Sequence, residues 1–133
     1  MRILPDSNVF ISAILLGRNC EEILELGRSG AIEIVTSDDI LAEVAGVLQR
    51  KFRWTAADAR NAIDEFRGIA TVVSAGGETI DFPADPADGK VLSSAAAGKV
   101  DVIVTGDRKH LLPLKSFRGI PIVSPAMFLE GLS

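Results

Sequence analysis

The sequence is short of several residue types, and each shortage narrows the kinds of protein it can be. It has one cysteine and one histidine among 133 residues, which excludes an internal disulfide and a zinc cluster of cysteine and histidine ligands. Aromatic residues make up only 5%, so a core must be built from Ile, Leu, Val and Ala. The single cysteine fits a protein of the reducing cytoplasm.

Positive charge and long apolar runs are also scarce. A net charge of −4 and a pI near 4.9 argue against a protein that coats nucleic acid, but they allow a nuclease whose own metal ligands are acidic. No apolar run approaches the ~18 residues of a membrane span. The uncharged stretch 7–17 lacks a convincing cleavage site and follows an aspartate, unlike a secretion signal. We therefore expect a cytoplasmic protein that does not contact membranes.

Short β-type runs alternate with helical segments, which predicts one α/β domain over residues 1–133 with a mainly parallel sheet. Helix starts are predicted by a capping box at Asn19, by Ser37, by a second capping pattern at Thr55, and by Asp85 before a proline. Strands are predicted at 2–5, 32–36, 71–74, 102–105 and 120–123. Helices are predicted at 9–16, 19–28, 38–52, 56–68, 86–98 and from 125 onward.

Four acidic residues are expected at the carboxyl ends of strands or at the start of the following helices: Asp6, Glu43, Asp88 and Asp107. Ligands of open parallel sheets bind at that edge. Carboxylates that converge there repel one another unless a cation or a proton offsets their charge. Oxygen ligands with little histidine or cysteine nearby favour Mg²⁺ or Mn²⁺, and such an ion on a carboxylate cluster commonly serves phosphodiester hydrolysis.

Each of these acids also has an ordinary structural explanation. Asp88 shares the apolar stripe of its helix, where an inward carboxylate is costly unless paired or metal-bound, yet it could simply cap the first turn. Glu43 borders a buried stripe and could be a solvated edge residue. Asp6 and Asp107 could simply begin turns. Taken together, four acids at equivalent ends of βα units favour a site.

Several other polar residues are expected outside this site. Asp101 precedes its strand and belongs to the opposite edge of the sheet. His110 is expected at the surface or at a helix start, Asp85 at a helix cap, and Cys20 in packing. The pair at 76–77, Gly-Gly, lacks the lysine and the spacing of a phosphate-binding loop.

The motifs around the four acids resemble those of the PIN-domain family, which includes VapC-type toxins and other small endoribonucleases. Residues 2–9, Arg-Ile-Leu-Pro-Asp-Ser-Asn-Val, are similar to its hydrophobic strand followed by Asp-Thr-Asn-Val. Leu-Ala-Glu-Val at 41–44, Asp-Pro-Ala-Asp at 85–88 and Val-Thr-Gly-Asp at 104–107 resemble the motifs of the other acids. The ending from 119 resembles a subgroup of toxin components, so the resemblance covers almost the whole chain.

The resemblance implies a three-layer α/β/α sandwich whose parallel sheet has the order 3-2-1-4-5. It implies a metal-dependent endoribonuclease that cuts single-stranded RNA and is the toxin of a toxin–antitoxin pair, with a cognate antitoxin as partner. The implied catalytic ligands of one or two Mg²⁺ or Mn²⁺ ions are Asp6, Glu43, Asp88 and Asp107, and their carboxylates would be oriented by Asn8 and Thr105. Like-charged neighbours should raise the pKa of at least one of these carboxyls.

Three alternatives are kept. A PIN domain could bind RNA or protein without cutting. A phosphorelay receiver also clusters acids, but it needs an adjacent acid pair after the first strand and a late lysine. A HAD-type phosphatase needs a second aspartate where Asn8 stands.

Finally, the positive mean hydropathy of +0.29 suggests apolar surface that a homodimer or partner covers, and the helices after Asn19 and Thr55 are the expected surfaces.

Overall fold

The computed structural model describes residues 1–74 and 86–131, in which a central sheet is flanked by helices as an α/β/α sandwich. The strands are β1 (Arg2–Pro5), β2 (Glu33–Ser37), β3 (Ala70–Val73), β4 (Val102–Val104), β5 (Ser116–Phe117) and β6 (Ile120–Val123). The helices are α1 (Ser7–Leu15), α2 (Arg18–Ser29), α3 (Asp38–Phe52), α4 (Ala56–Ile69), α5 (Pro86–Gly98) and α6 (Pro125–Gly131), with a 3₁₀ turn at Leu112–Leu114.

The strand order is β3-β2-β1-β4-β6-β5, and every pairing is parallel except that of β5 with β6. The predicted order 3-2-1-4-5 is confirmed, since the fifth predicted strand is β6. The additional β5 has two residues, too few for an alternating pattern in the sequence. Because β1 and β4 are neighbours, the residues that follow them are brought together at the carboxyl edge of the sheet.

Pro5 occupies a central strand, where a missing backbone N–H would ordinarily break the ladder. The N–H of Asp6 donates to Val104 O at 2.8 Å, so this residue faces β4. Backbone N–H groups alternate in direction along a strand, and position 5 therefore faces β2. The pairing of β1 with β2 extends only from Arg2 to Ile3. Pro5 therefore lies beyond the hydrogen-bonded part of this pairing, where no backbone N–H is needed.

Two predicted helix caps are confirmed and one is wrong. Ser37 Oγ accepts from Ile40 N at 3.3 Å, and Thr55 Oγ1 accepts from Asp58 N at 3.0 Å. The predicted capping box at Asn19 does not form, because α2 begins earlier, after Gly17. This glycine has a φ of +72° and offers no side-chain cap, so a backbone conformation that glycine adopts without strain starts the helix.

Helix α5 carries one of the predicted acids, and its packing against the sheet depends on its last residue. A Cβ added to Gly98 would lie 2.8 Å from Val35 Cγ1 on β2, which is closer than side chains tolerate. Glycine therefore lets the end of α5 approach the sheet. The predicted cap at Asp85 lies outside the described residues.

The core is aliphatic, as the scarcity of aromatic residues predicts, apart from Phe10, Phe66 and Phe128. The ring centroids of Phe10 and Phe66 lie 4.8 Å apart. Helical periodicity predicts an apolar stripe on α3, and four of its five residues are buried: Ile40, Leu41, Val44 and Leu48. The fifth, Val47, is half-buried. No helix in the described part of the chain is long and apolar enough to cross a membrane.

Thr55→Ala should lower the free energy of unfolding by about 1 kcal/mol, because Asp58 N loses the hydroxyl acceptor at the start of α4. Urea unfolding at equilibrium measures the change. Thr55→Ser keeps the accepting oxygen and is the matched control, which should unfold close to the wild type. Equal stability of the alanine variant and the wild type would show that the cap contributes nothing.

Candidate metal centre

The structure brings all four predicted acids together at the carboxyl edge of the sheet. They line one cleft of about 350 Å³. Its lining residues are Asp6, Ser7, Asn8, Glu43, Asp88, Asp107 and His110. A second cleft of about 220 Å³ shares Asp6, Ser7 and Glu43 with the first and extends along α3 and α5 to Lys90.

Asp6 is buried, with only 5% of its surface exposed, and hydrogen bonds hold both of its carboxylate oxygens. It precedes α1, and its Oδ1 accepts from Ser7 N at 2.7 Å. Its Oδ2 accepts from Thr105 Oγ1 at 2.8 Å and from Asn8 Nδ2 at 3.1 Å. With a longer bond from Ser7 Oγ to Oδ1 at 3.4 Å, four hydrogen bonds fix the orientation of this carboxylate.

Thr105 and Asn8 also connect the segment after β1 to the segment after β4. The Thr105 hydroxyl accepts from Asp107 N at 3.0 Å, while it donates to Asp6. Asn8 Oδ1 accepts from Gly106 N at 3.0 Å. The two side chains therefore contact both sides of the switch point, the arrangement expected of residues that orient carboxylates.

Asp107 has two carboxylate oxygens with different surroundings. Its Oδ1 accepts from Lys109 N at 3.0 Å and from His110 N at 3.1 Å. Its Oδ2 lies 3.7 Å from His110 Nδ1. One oxygen is thus held by the backbone of the following turn, and the other faces the imidazole.

Asp88 and His110 meet from opposite sides of the cleft. Asp88 lies in the first turn of α5 and is 5% exposed, which agrees with its predicted place on the apolar face. Its Oδ2 lies 3.5 Å from His110 Nδ1. One ligand atom from each of Asp88, Asp107 and His110 lies within 4.8 Å of the others.

His110 lines the cleft, although the sequence did not predict it as a site residue. It was expected at the surface or at a helix start, but it lies in the turn after β4, and its half-buried ring lines the cleft. The available signal was its position three residues after Asp107, which places it in the same tight turn. A lone histidine without a second one nearby was too weak a pattern to use.

Glu43 and Asp101 occupy the positions that the sequence favoured for them. Glu43 is half-buried on α3 and lines both clefts beside the buried Ile40. Asp101 is exposed and accepts from Arg2 N at 2.7 Å, at the opposite edge of the sheet. Asp39, one turn before Glu43, also lines the second cleft, although helical periodicity places it further from the buried stripe than Glu43.

Burial raises the pKa of Asp6 above its ordinary value, and the negative charge of Asp107 raises it further. Hydrogen bonds from Thr105 and Ser7 act in the opposite direction. A raised pKa was expected, but the expected main cause, repulsion between the acids, was wrong. Removal of the carboxylate from water is the larger effect, because Asp6 lies deep at the sheet edge.

The donors at this edge fit a divalent cation. The four predicted acids line the cleft with carboxylate oxygens, the ligands that Mg²⁺ and Mn²⁺ prefer, and two of them, Asp88 and Asp107, belong to the close group of ligand atoms. An ion would offset both the burial and the mutual repulsion of the charges. The cluster could therefore hold a metal ion.

Comparisons with known proteins agree with this geometry. The model of the PIN-domain family matches residues 2–109, a span that contains all four acids. A search of curated proteins found no match. Among solved structures, the chain is similar to the crystal structure of VapBC2 from Rickettsia felis bound to a DNA fragment from their promoter. The TM-score is 0.66 and the identity 18%, over 93% of this chain and 98% of that one, so this likeness shows the fold.

Proposed function

This chain belongs to the PIN-domain family, and we propose that it is a metal-dependent endoribonuclease that cleaves single-stranded RNA. The observation that carries the proposal is the convergence of Asp6, Glu43, Asp88 and Asp107 on one cleft. These acids come from four separate segments, and surface acids with no shared role have no reason to meet at one sheet edge.

In this proposal the four carboxylates hold one or two Mg²⁺ or Mn²⁺ ions. When bound, such an ion activates a water and stabilises charge on the phosphate. Thr105 and Asn8 keep the Asp6 carboxylate oriented through the bonds described above. Lys90, which lines the second cleft beside Glu43, offers positive charge to a phosphate backbone that approaches along α3 and α5.

A single strand is the substrate that such a concave site favours. The acids lie inside a cleft rather than on an open face, so a phosphodiester has to bend inward to reach them. An unpaired strand can do so, whereas a stacked duplex must first pay the free energy of unpairing. The shape of the cleft therefore supports the single-stranded part of the proposal.

The same proposal makes this chain the toxin of a toxin–antitoxin pair, with a cognate antitoxin as its partner. The support is the fold that it shares with the VapBC2 structure. Large apolar side chains are also exposed next to the two surfaces predicted from the sequence: Leu15 and Leu16 before α2, and Phe52 before α4. An antitoxin or a second copy of the chain would cover them, and the homodimer stays a prediction.

The purified protein should cut a labelled single-stranded RNA in Mg²⁺ or Mn²⁺, stop in EDTA, and recover when the metal is restored. A duplex of the same sequence is the matched control and should be cut much more slowly. Gel analysis of the products measures both. RNA that binds but is never cut under any divalent metal would replace this proposal with the non-catalytic PIN domain.

A further inference from the structure

We propose that His110 is a direct metal ligand of this centre, and that it makes the site prefer first-row transition ions such as Mn²⁺ or Co²⁺ over Mg²⁺. The imidazole would bind through Nδ1, together with Asp88 and Asp107. This inference rests on the proposed function, because it takes the acid cluster to be a metal site. It adds a nitrogen ligand that the acid motifs do not contain.

The distances fit three ligands around one ion. His110 Nδ1 lies 3.5 Å from Asp88 Oδ2 and 3.7 Å from Asp107 Oδ2. Ligands about 2.1 Å from a common ion are about 3 Å apart at right angles and about 4.2 Å apart when opposite. Both distances fall between these limits. The ligand atoms of Asp88 and Asp107 lie within 4.8 Å of each other, so small side-chain adjustments would place all three groups around one ion.

The turn after β4 holds the imidazole in this position. His110 N and Lys109 N both donate to Asp107 Oδ1, and Leu112 N donates to Asp107 O at 3.0 Å. These bonds fix the backbone of His110 relative to the acid beside it. They also occupy Oδ1 of Asp107, so that Oδ2 is the oxygen that shares the ion with the ring. The His110 side chain is 36% exposed, which leaves the ring accessible to an arriving ion.

A nitrogen ligand changes the selectivity that the acids alone would give. Mg²⁺ takes oxygen ligands almost exclusively and keeps several waters. Imidazole suits transition ions, and their affinities for such ligands rise along the first row. Two carboxylates with one imidazole therefore form a mixed set that Mn²⁺ and Co²⁺ accept more readily than Mg²⁺.

The opposite reading is that the imidazole is a cation held between two acids. The two hypotheses predict opposite changes in metal affinity for a variant that lacks the imidazole. Loss of a ligand weakens the binding of transition ions, whereas loss of a competing positive charge strengthens the binding of every cation. A measurement of metal affinity therefore separates them.

The first test needs no mutation, because His110 is the only histidine in the chain. The protein is loaded with Mn²⁺, and pulsed EPR measures nitrogen coupled to the metal. We expect ¹⁴N coupling in unlabelled protein and ¹⁵N coupling in protein labelled on histidine alone. Bound Mn²⁺ without the isotope change would overturn the ligand role and leave the proposed function standing. Failure to bind Mn²⁺ at all would overturn both.

The second test compares metal affinities by calorimetry. His110→Ala should weaken Mn²⁺ and Co²⁺ binding at least about tenfold, as loss of a group supporting a metal site does, and weaken Mg²⁺ binding much less. Lys109→Ala is the matched control, since it alters an exposed side chain of the same turn and leaves the backbone donor in place. Equal losses for Mg²⁺ and Mn²⁺, or tighter binding of both, would overturn the proposal.

Discussion

Asp6→Asn should reduce RNA cleavage at least about 10²-fold, equivalent to about 2.7 kcal/mol of barrier. The amide keeps the shape of the side chain but removes the negative charge that would hold the ion. It also places an N–H₂ group where the carboxylate accepts from Ser7, Asn8 and Thr105. Single-turnover cleavage of labelled RNA measures the loss, and circular dichroism confirms that the variant is folded.

The control for this variant is Asp64→Asn, which removes one negative charge from the exposed face of α4. Among the described residues, α4 supplies no side chain to either cleft. The control should cleave RNA at the wild-type rate. If Asp6→Asn cleaved as fast as this control, the activity would belong to another site or to a contaminant.

The parts of the molecule that the sequence predicted are those encoded by local patterns. Alternating β and α segments, with acids at their junctions, were enough to place Asp6 and Asp107 side by side once β1 and β4 were neighbours. Glu43 and Asp88 followed from helical periodicity, because Asp88 shares the apolar stripe of its helix and Glu43 borders the stripe of its own. The resemblance supplied the strand order.

The features that the sequence did not predict depend on backbone conformation and on how deeply each side chain is buried. The start of α2 is set by the positive φ of Gly17, +72°, which outweighs the capping pattern at Asn19. His110 reaches the cleft because a turn brings it back beside Asp107, a result of tertiary geometry rather than of any repeat. Similarly, burial dominates the pKa of Asp6, and the sequence shows which acids converge but not how far each lies from water.

Divalent metal should raise the melting temperature, because an ion that binds the native cluster and not the unfolded chain stabilises the fold. At about 100 times its dissociation constant, the ion adds about 2.7 kcal/mol. For a domain of this size each kcal/mol corresponds to about 3–5 °C, so a shift on the order of 10 °C is expected. Asp6→Asn should lose most of it, whereas Asp64→Asn should keep it.

The rise in melting temperature that metal causes should depend on pH, and the ionisation of Asp6 sets the direction of that dependence. Its pKa in the folded protein is raised above 3.8. In metal-free protein, its contribution to stability is therefore full below 3.8 and is lost as pH rises through the raised value. Metal binds the ionised carboxylate, so protons compete with it at acidic pH. The metal-induced shift should then grow as pH rises through the raised pKa of Asp6, as melting curves with and without Mn²⁺ at each pH can measure. A shift of constant size from pH 3.8 upward would remove Asp6 from the ligand set, and no shift with either Mg²⁺ or Mn²⁺ at millimolar concentration would mean that the cleft is not a preformed metal site.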